Sequence, residues 1–534
     1  MVKKFPRGGC AENGLNPKAI YDFVMRAQRE DLGLDSFMIL KGGTVVAEGY
    51  HAPYTYETPH VEFSLSKSIV STALGFAVNE GKVKLDDSIC KYFPEYGKKA
   101  INKKITVRHL VTMTAGKMVG MAATRHKRDW IKLFFDTPPI APPGKMFLYV
   151  NDNFYILSAL ISRVYNESLV DFLYPRLFEP LGIEKPFWEI DSFGHAAGGW
   201  GLYLPIEDLA KIIVCYSDYG EWQGKQVIPA QWVREATSYQ VPTVKKGQID
   251  VTKGYGYGLW RTSMPNAYRA YGLYGQFGYV FEDNDTVLVF NSGIARDMRL
   301  AAAINDMCKT LWDEPQAEYE ESLRELTASL GDKDDLPSNG RNRYLEEKYN
   351  GKALFTKSGT FASMLCATMS TVFDEHIGHL DLFRLRRDEN GDLFLLWREG
   401  EFVNEVAVGM DNTYAVSDVS YGQLKLHACV KGAWIGRNVL RVIVRFNEAC
   451  MMRRLDFDFS DEKHVKVRNE SFPDLGNLAA YYVDFSGFPL PKPLDALLVK
   501  GIVPAIMTFG EPTFRMKETP VVIGYYDSFR SRKE

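Results

Sequence analysis

Strand-like alternation appears twice in the first 312 residues, near their beginning and near their end, and what lies between is patterned as helix. Near the beginning, FMILKGGTVVAEGY (37–50) reads as two strands joined at Lys41-Gly42-Gly43, where glycine permits a tight reversal. Near the end, residues 276–281 and 286–290 read as a second pair, joined by Glu282, Asp283, Asn284 and Asp285. Isolated hairpins are marginal in water, so the simplest packing joins the two ends in one antiparallel sheet. Helices predicted at 17–30 and at about 296–312 then flank that sheet. The helical stretch from about 105 to 240 forms a second, all-helical lobe. Between them, Ser64 to about Glu80 is apolar on several faces and stops at Gly81, the pattern of a buried helix with glycine just past its end. The expected class is α/β (α+β), with residues 1–312 as its first domain.

Residues 313–345 change character. DEPQAEYEESLRELTASLGDKDD holds nine acids and two bases and is followed by PSNGRNR, which together read as an acidic helix and linker. Beyond 346, short runs such as LDLFRLRR, DLFLLWRE, QLKLHACVKGAW and NVLRVIVRF alternate with period two. Residues 346–534 are therefore expected to form an all-β antiparallel barrel, lipocalin-like, whose role as a small-molecule binder, a lid or a dimerisation module stays open. The formal charge of −3 argues against nucleic-acid or membrane-surface partners, which need a basic excess. Seven scattered cysteines without a C-x-x-C pair read as thiols of a reducing compartment. The start, MVKKFPRGGCAENG, carries no apolar stretch behind its basic residues, so a cytoplasmic location is expected.

Familiar catalytic signatures are missing: there is no G-x-S-x-G, H-E-x-x-H, Walker loop or dinucleotide fingerprint. His376 with His379, and His427 with Cys429, lack companion ligands, so no metal and no cofactor are expected. Ser64-Leu65-Ser66-Lys67 opens the buried helix instead. A spacing of three places hydroxyl and amine on one helical face, a helix start favours developing negative charge, and burial lowers a lysine pKa toward that of a useful base. A helix cap with a surface lysine downstream fits the same four residues, and Ser88–Lys91 and Ser460–Lys463 repeat the spacing by accident. Tyr149-Val150-Asn151, after a Pro-Pro-Gly turn, adds a phenol able to shuttle a proton and an amide able to bind Lys67 or substrate; a loop aromatic stacked on the helical lobe is the other reading.

Taken in order, GTVVAEGY, FSLSKSIVSTALGFAVNEGKVKLDDSICKYFPEY, ITVRHLVTMTAG, APPGKMFLYVNDNFYILSALI, AGGWGLYLPIEDLAKI, GYGYGLW and YGLYGQFGYVF resemble the serine β-lactamase and penicillin-binding-protein superfamily. The likeness is to its class C β-lactamase-like branch of carboxylesterases, D-stereospecific aminopeptidases and 6-aminohexanoate-dimer hydrolases. It implies the β-lactamase-like transpeptidase fold over residues 15 to about 312. It also implies Ser64 as the acylated nucleophile, Lys67 as its base, Tyr149 as the catalytic tyrosine, and the N–H groups of Ser64 and Leu273 as the oxyanion hole. Where the family carries Lys/His-Thr-Gly, this chain has Ala270-Tyr271-Gly272, which puts recognition of β-lactams or cell-wall peptides in doubt. Asn151, Trp200, Tyr271, Gly272 and Gln276 are the expected substrate-binding positions, in a cleft rich in aromatic residues. The function expected is hydrolysis of a small ester or amide through an acyl-enzyme on Ser64. The alternatives are a D-stereospecific peptidase or a β-lactamase and, from another class, a catalytically silent binding scaffold. A small-molecule substrate is the expected partner, with no nucleic acid or membrane, and homodimer formation stays open.

Overall fold

A computed structural model describes residues 4–119, 129–243, 253–337, 340–355, 364–365, 380–461, 464–473 and 521–526. The described residues fall into two compact units, the first running to Gly331 and the second beginning at Asp332.

In the first unit, helix α1 (Pro17–Arg29) starts where the Asn16 side chain accepts the Lys18 N–H and proline occupies the first turn. Its apolar stripe of Ile20, Phe23, Val24 and Ala27 is buried. The hairpin β1 (Leu34–Lys41) and β2 (Thr44–Tyr50) follows. The closing part of the unit supplies β3 (Trp260–Arg261), β4 (Ala267–Gly272), β5 (Gln276–Phe281) and β6 (Thr286–Ser292). The sheet order is β2-β1-β6-β5-β4-β3, so the two sequence-distant strand pairs meet where β1 runs antiparallel to β6. Phe37 lies opposite Phe290 in that register, the two rings stack, and Phe23 of α1 meets both edge-on. The helix from Met298 to Cys308 packs beside α1 on this face.

The opposite face is covered by the helix Ile206–Ser217, whose Ile213 reaches to 2.6 Å from where a Cβ on Gly278 would stand. The nucleophile-bearing helix α2 (Ser66–Asn79) belongs to the helical part of the unit. It packs against Asn151–Tyr165 and is buried nearly all round, which is why its sequence shows no polar face. The acidic helix Glu320–Ala328 lies on α1 and β2, and the Glu320 carboxylate accepts the N–H groups of Cys10 at 2.8 Å and Ala11 at 3.0 Å. Asp332 and Asp334, further along the same acidic run, bind Lys431 and Arg445 of the second unit. The unit boundary therefore falls inside the segment 313–345.

The second unit holds a ten-stranded antiparallel sheet. Its first four strands are β7 (Ala353–Phe355), β8 (Leu380–Arg387), β9 (Leu393–Glu399) and β10 (Phe402–Val408). Then come β11 (Ala415–Tyr421), β12 (Leu424–Trp434), β13 (Val439–Phe446), β14 (Met451–Asp458), β15 (His464–Phe472) and β16 (Val521–Tyr526). They run in the order β10-β9-β8-β7-β16-β15-β14-β13-β12-β11. The edge strands β10 and β11 are linked by hydrogen bonds from Ala407 N–H to Ser417 Oγ (3.0 Å) and from Ser420 N–H to Asn404 Oδ1 (3.1 Å).

Six cysteines in the described residues carry free thiols. His376 and His379 lie outside the described residues. His427 is held by Glu448, and no cluster of metal-ligating side chains occurs among the described residues. Nor is any described helix long and apolar enough to cross a membrane.

Candidate active site

Helix α2 is entered through a single 3-10 turn, Phe63–Leu65, so Ser64 sits in that tighter turn and not in the α-helix itself. Phe63 holds φ at 42°, a region that costs a bulky residue on the order of 1–3 kcal/mol and persists only where its surroundings fix it. Two contacts do so. The Phe63 ring meets Tyr274 edge-on at 5.3 Å, and strand β4 comes so near that a Cβ on Gly272 would stand 2.2 Å from the Glu62 carbonyl oxygen. Only glycine allows that approach. The first intrahelical bond runs from Leu65 N–H to Glu62 O, which leaves the Ser64 N–H among the leading, unpaired donors of the helix.

Lys67 is fully buried. Its Nζ lies 2.8 Å from Ser64 Oγ, 2.7 Å from Asn151 Oδ1 and 2.6 Å from the Gly199 carbonyl oxygen. Asn151 Oδ1 and Gly199 O only accept, whereas a serine hydroxyl also donates. The amine donates to all three oxygens, and once deprotonated it keeps N–H bonds to Asn151 and Gly199 while its lone pair faces the Ser64 hydroxyl and can take its proton. Burial pushes the Lys67 pKa well below its usual value, and the nearby Asp152 carboxylate opposes that shift without cancelling it. The same geometry answers the capping alternative, because this lysine is an interior group aimed at Ser64.

The third partner of Lys67 was not foreseen from sequence. Gly199 brings its carbonyl against the first turn of the helix Asn151–Tyr165, where a Cβ would stand 2.9 Å from Asn151 Cβ. Its trace in the sequence is the paired glycine of Gly198-Gly199, next to Trp200. Asp152, the carboxylate that acts on Lys67, is buried and accepts the Val119 N–H at 2.6 Å, and no motif in the sequence marks it.

Tyr149 is half-buried, its ring centroid 4.9 Å from Lys67 Nζ. Phe147, Tyr255 and Trp260 surround it with ring centroids 6.5, 6.1 and 5.2 Å away. Ser64, Lys67, Tyr149 and Asn151 are therefore gathered in one place, beside an aromatic wall.

Three expected substrate contacts are placed otherwise. Tyr271 alternates to the far face of β4, where its ring stacks on Phe277 and its hydroxyl donates to Asp297 Oδ2 at 2.7 Å. Gln276 is wholly buried beneath the turn Leu273–Gly275. Its Nε2 donates to Leu273 O (3.1 Å) and Ser292 O (2.7 Å), and its Oε1 accepts from Asn291 Nδ2 (3.1 Å) and Ser292 N–H (3.3 Å). Trp200 is buried against Trp130, ring centroids 6.0 Å apart. Gly272 does lie beside the nucleophile turn. Leu273 follows it, and no acceptor for the Leu273 N–H is found among the described residues.

Compared with known proteins, residues 27–304 match the family described as Beta-lactamase. Two curated relatives are similar: a "Beta-lactamase" of Escherichia coli (strain K12), 28% identical over 151 residues, and a "6-aminohexanoate-dimer hydrolase" of Paenarthrobacter ureafaciens, 23% identical over 224 residues. The matched segments amount to 28% and 38% of this chain and to 40% and 57% of those relatives, so the chain spans about half the length of each. Among solved structures, a putative 6-aminohexanoate-dimer hydrolase from Bacillus anthracis aligns at 19% identity and a TM-score of 0.47, over 58% of this chain and 87% of that one.

Proposed function

The chain belongs to the Beta-lactamase family, and on that footing we propose that it is a serine hydrolase that cleaves a small ester or amide through an acyl-enzyme on Ser64. The observation that carries this reading is the buried amine of Lys67, 2.8 Å from the Ser64 hydroxyl. The neutral Lys67, with Tyr149 beside it, takes the Ser64 proton as Oγ attacks the substrate carbonyl. The N–H groups of Ser64 and Leu273 receive the charge on the carbonyl oxygen. As the tetrahedral adduct collapses, the bond to the leaving group breaks and Tyr149 returns the proton to it. Water then attacks the acyl carbon by the same route and frees Ser64.

Within this class an esterase or small-amide hydrolase of the class C-like branch ranks before a D-stereospecific peptidase, and that before a β-lactamase. Ala270-Tyr271-Gly272 offers no side-chain cation for a substrate carboxylate. The neighbouring Arg269 is buried with its guanidinium on Tyr279 Oη, and it shares the Tyr271 face of the strand. Phe147 and Tyr149 favour an apolar group. A reducing, cytoplasmic setting belongs to the same proposal, supported by the six free thiols. So does closure of the ten-stranded sheet into a barrel, supported by the side-chain bonds between its two edge strands.

A fluorophosphonate probe should label the wild type on the peptide carrying Ser64 and leave Ser64→Ala unlabelled, with p-nitrophenyl esters turned over faster than D-amino-acid amides or nitrocefin. An unlabelled wild type would refute the acyl-enzyme reading in favour of a silent scaffold. Rapid nitrocefin turnover would reverse the substrate order.

A further inference from the structure

We propose that Gln276, with Asn291 and Glu62 behind it, is a positioning device that aims the Leu273 N–H at the substrate oxygen and holds it in register with Ser64. The inference rests on the hydrolase reading above and assigns these three buried residues a part in it.

Within the turn after β4, Gly272 O accepts the Gly275 N–H at 3.3 Å. A trans peptide sets its C=O and N–H on opposite sides, so the Leu273 N–H points out of the turn. The next peptide is fixed by Gln276 Nε2 on Leu273 O, and the one after by Ser292 Oγ and Ile294 N–H on Tyr274 O. The Gln276 amide is fully engaged: two donations and two acceptances use up its polar capacity within the protein. Nothing is left for a substrate, yet the residue is wedged under the one turn whose free N–H the reaction needs.

The chain of bonds continues to the nucleophile. Asn291 Nδ2, which donates to Gln276 Oε1, also lies 3.2 Å from Glu62 Oε1. Glu62 is two residues before Ser64, and its carbonyl starts the 3-10 turn that presents the serine. One side-chain relay therefore spans both oxyanion donors, and Glu62, Gln276, Asn291 and Ser292 are all fully buried. The relay is built for neutral groups: burial pushes the Glu62 carboxyl well above the usual carboxylate range, and Asn291 opposes this only partly. Glu62 Oε2 and Asn291 Oδ1 find no hydrogen-bond partner among the described residues, so the buried relay costs stability, and a cost of that kind is retained where donors must be held in place, as a preorganised oxyanion hole requires.

The test compares matched aryl oxoesters and thionoesters, because sulfur accepts hydrogen bonds poorly and the oxo/thiono rate ratio reports directly on oxyanion donors. In the full-length protein, Gln276→Met should lower oxoester kcat by roughly ten- to a hundredfold, change KM by less than about threefold, and shrink the oxo/thiono ratio. Should that variant fail to fold, Glu62→Ala at the other end of the relay should show the same pattern more weakly, with Glu62→Gln recovering most of the loss. An unchanged oxo/thiono ratio in folded variants, or a loss that falls on KM, would overturn the proposal. A wild type that neither turns over these esters nor takes up a fluorophosphonate would overturn the hydrolase reading itself, and this relay with it.

Discussion

Replacing Glu189 with glutamine should flatten the pH dependence of stability of the hydrolase unit between about pH 4.5 and pH 7. Glu189 lies in the short stretch that pairs with the Gly199 segment: its N–H donates to Gly201 O at 2.8 Å, and its carbonyl accepts the Ala197 N–H at 2.9 Å. The carboxyl is buried, with Tyr203 Oη 3.0 Å from Oε1 and the Trp200 indole beside it. Burial outweighs these donors and raises its pKa from 4.5 to about 7. An acid whose folded pKa is raised binds its proton more tightly when folded. Its contribution is therefore fully present below pH 4.5, falls as pH rises, and is lost above about pH 7. The shift corresponds to about 3 kcal/mol at most, several degrees of melting temperature for a unit of this size. Glutamine keeps an acceptor for Tyr203 and cannot ionise. Denaturation followed by tryptophan fluorescence from pH 4 to 8 should therefore find wild type and Glu189→Gln converging at the acid end, diverging between about pH 4.5 and pH 7 with the variant the more stable, and running parallel above that. Parallel curves between about pH 4.5 and pH 7 would refute the assignment of a buried, protonated Glu189.

Two further outcomes are expected. The rate kcat/KM of the wild type on a neutral ester should rise as Lys67 loses its proton and level off well below pH 10.5, while Lys67→Met should lose roughly 10²- to 10⁴-fold in rate; a rising limb near pH 10.5 would mean that the amine is not desolvated as placed. Gly199→Ala sets a methyl group 2.9 Å from Asn151 Cβ, so it should cost about 1–3 kcal/mol of stability and slow turnover by shifting the carbonyl that orients Lys67, as measured by melting and steady-state kinetics; a variant with wild-type activity would remove Gly199 from the site.

The scaffold was readable because hydrophobic period and turn glycines are local signals that tertiary packing here follows. The alternation at 37–50 and 276–290 reads as two strand pairs, each marginal alone, and one sheet is the simplest way to pair their edges; Phe37 opposite Phe290 is where they join. Ser64 and Lys67 were readable for a similar reason, since a spacing of three means one face in either helix type. Gly199 was not, because the group that acts there is a carbonyl, which every residue possesses, and the only trace it leaves is the missing side chain that admits it. Tyr271 and Gln276 keep company other than the substrate contacts expected of them, and strand parity explains the first. Gly272 must face the Glu62 carbonyl, so its neighbour Tyr271 turns to the α1 side, with Phe277 and Asp297. Gln276 pairs with Gly272 across the hairpin and shares its face. That parity brings it beneath the oxyanion turn, but whether its amide then reaches outward to a substrate or inward to Leu273 O depends on Asn291 and Ser292 of β6, partners fifteen and sixteen residues further on. Where a polar side chain is wholly buried and fully paired, its motif marks a place in the sequence, and its partners decide what it does there.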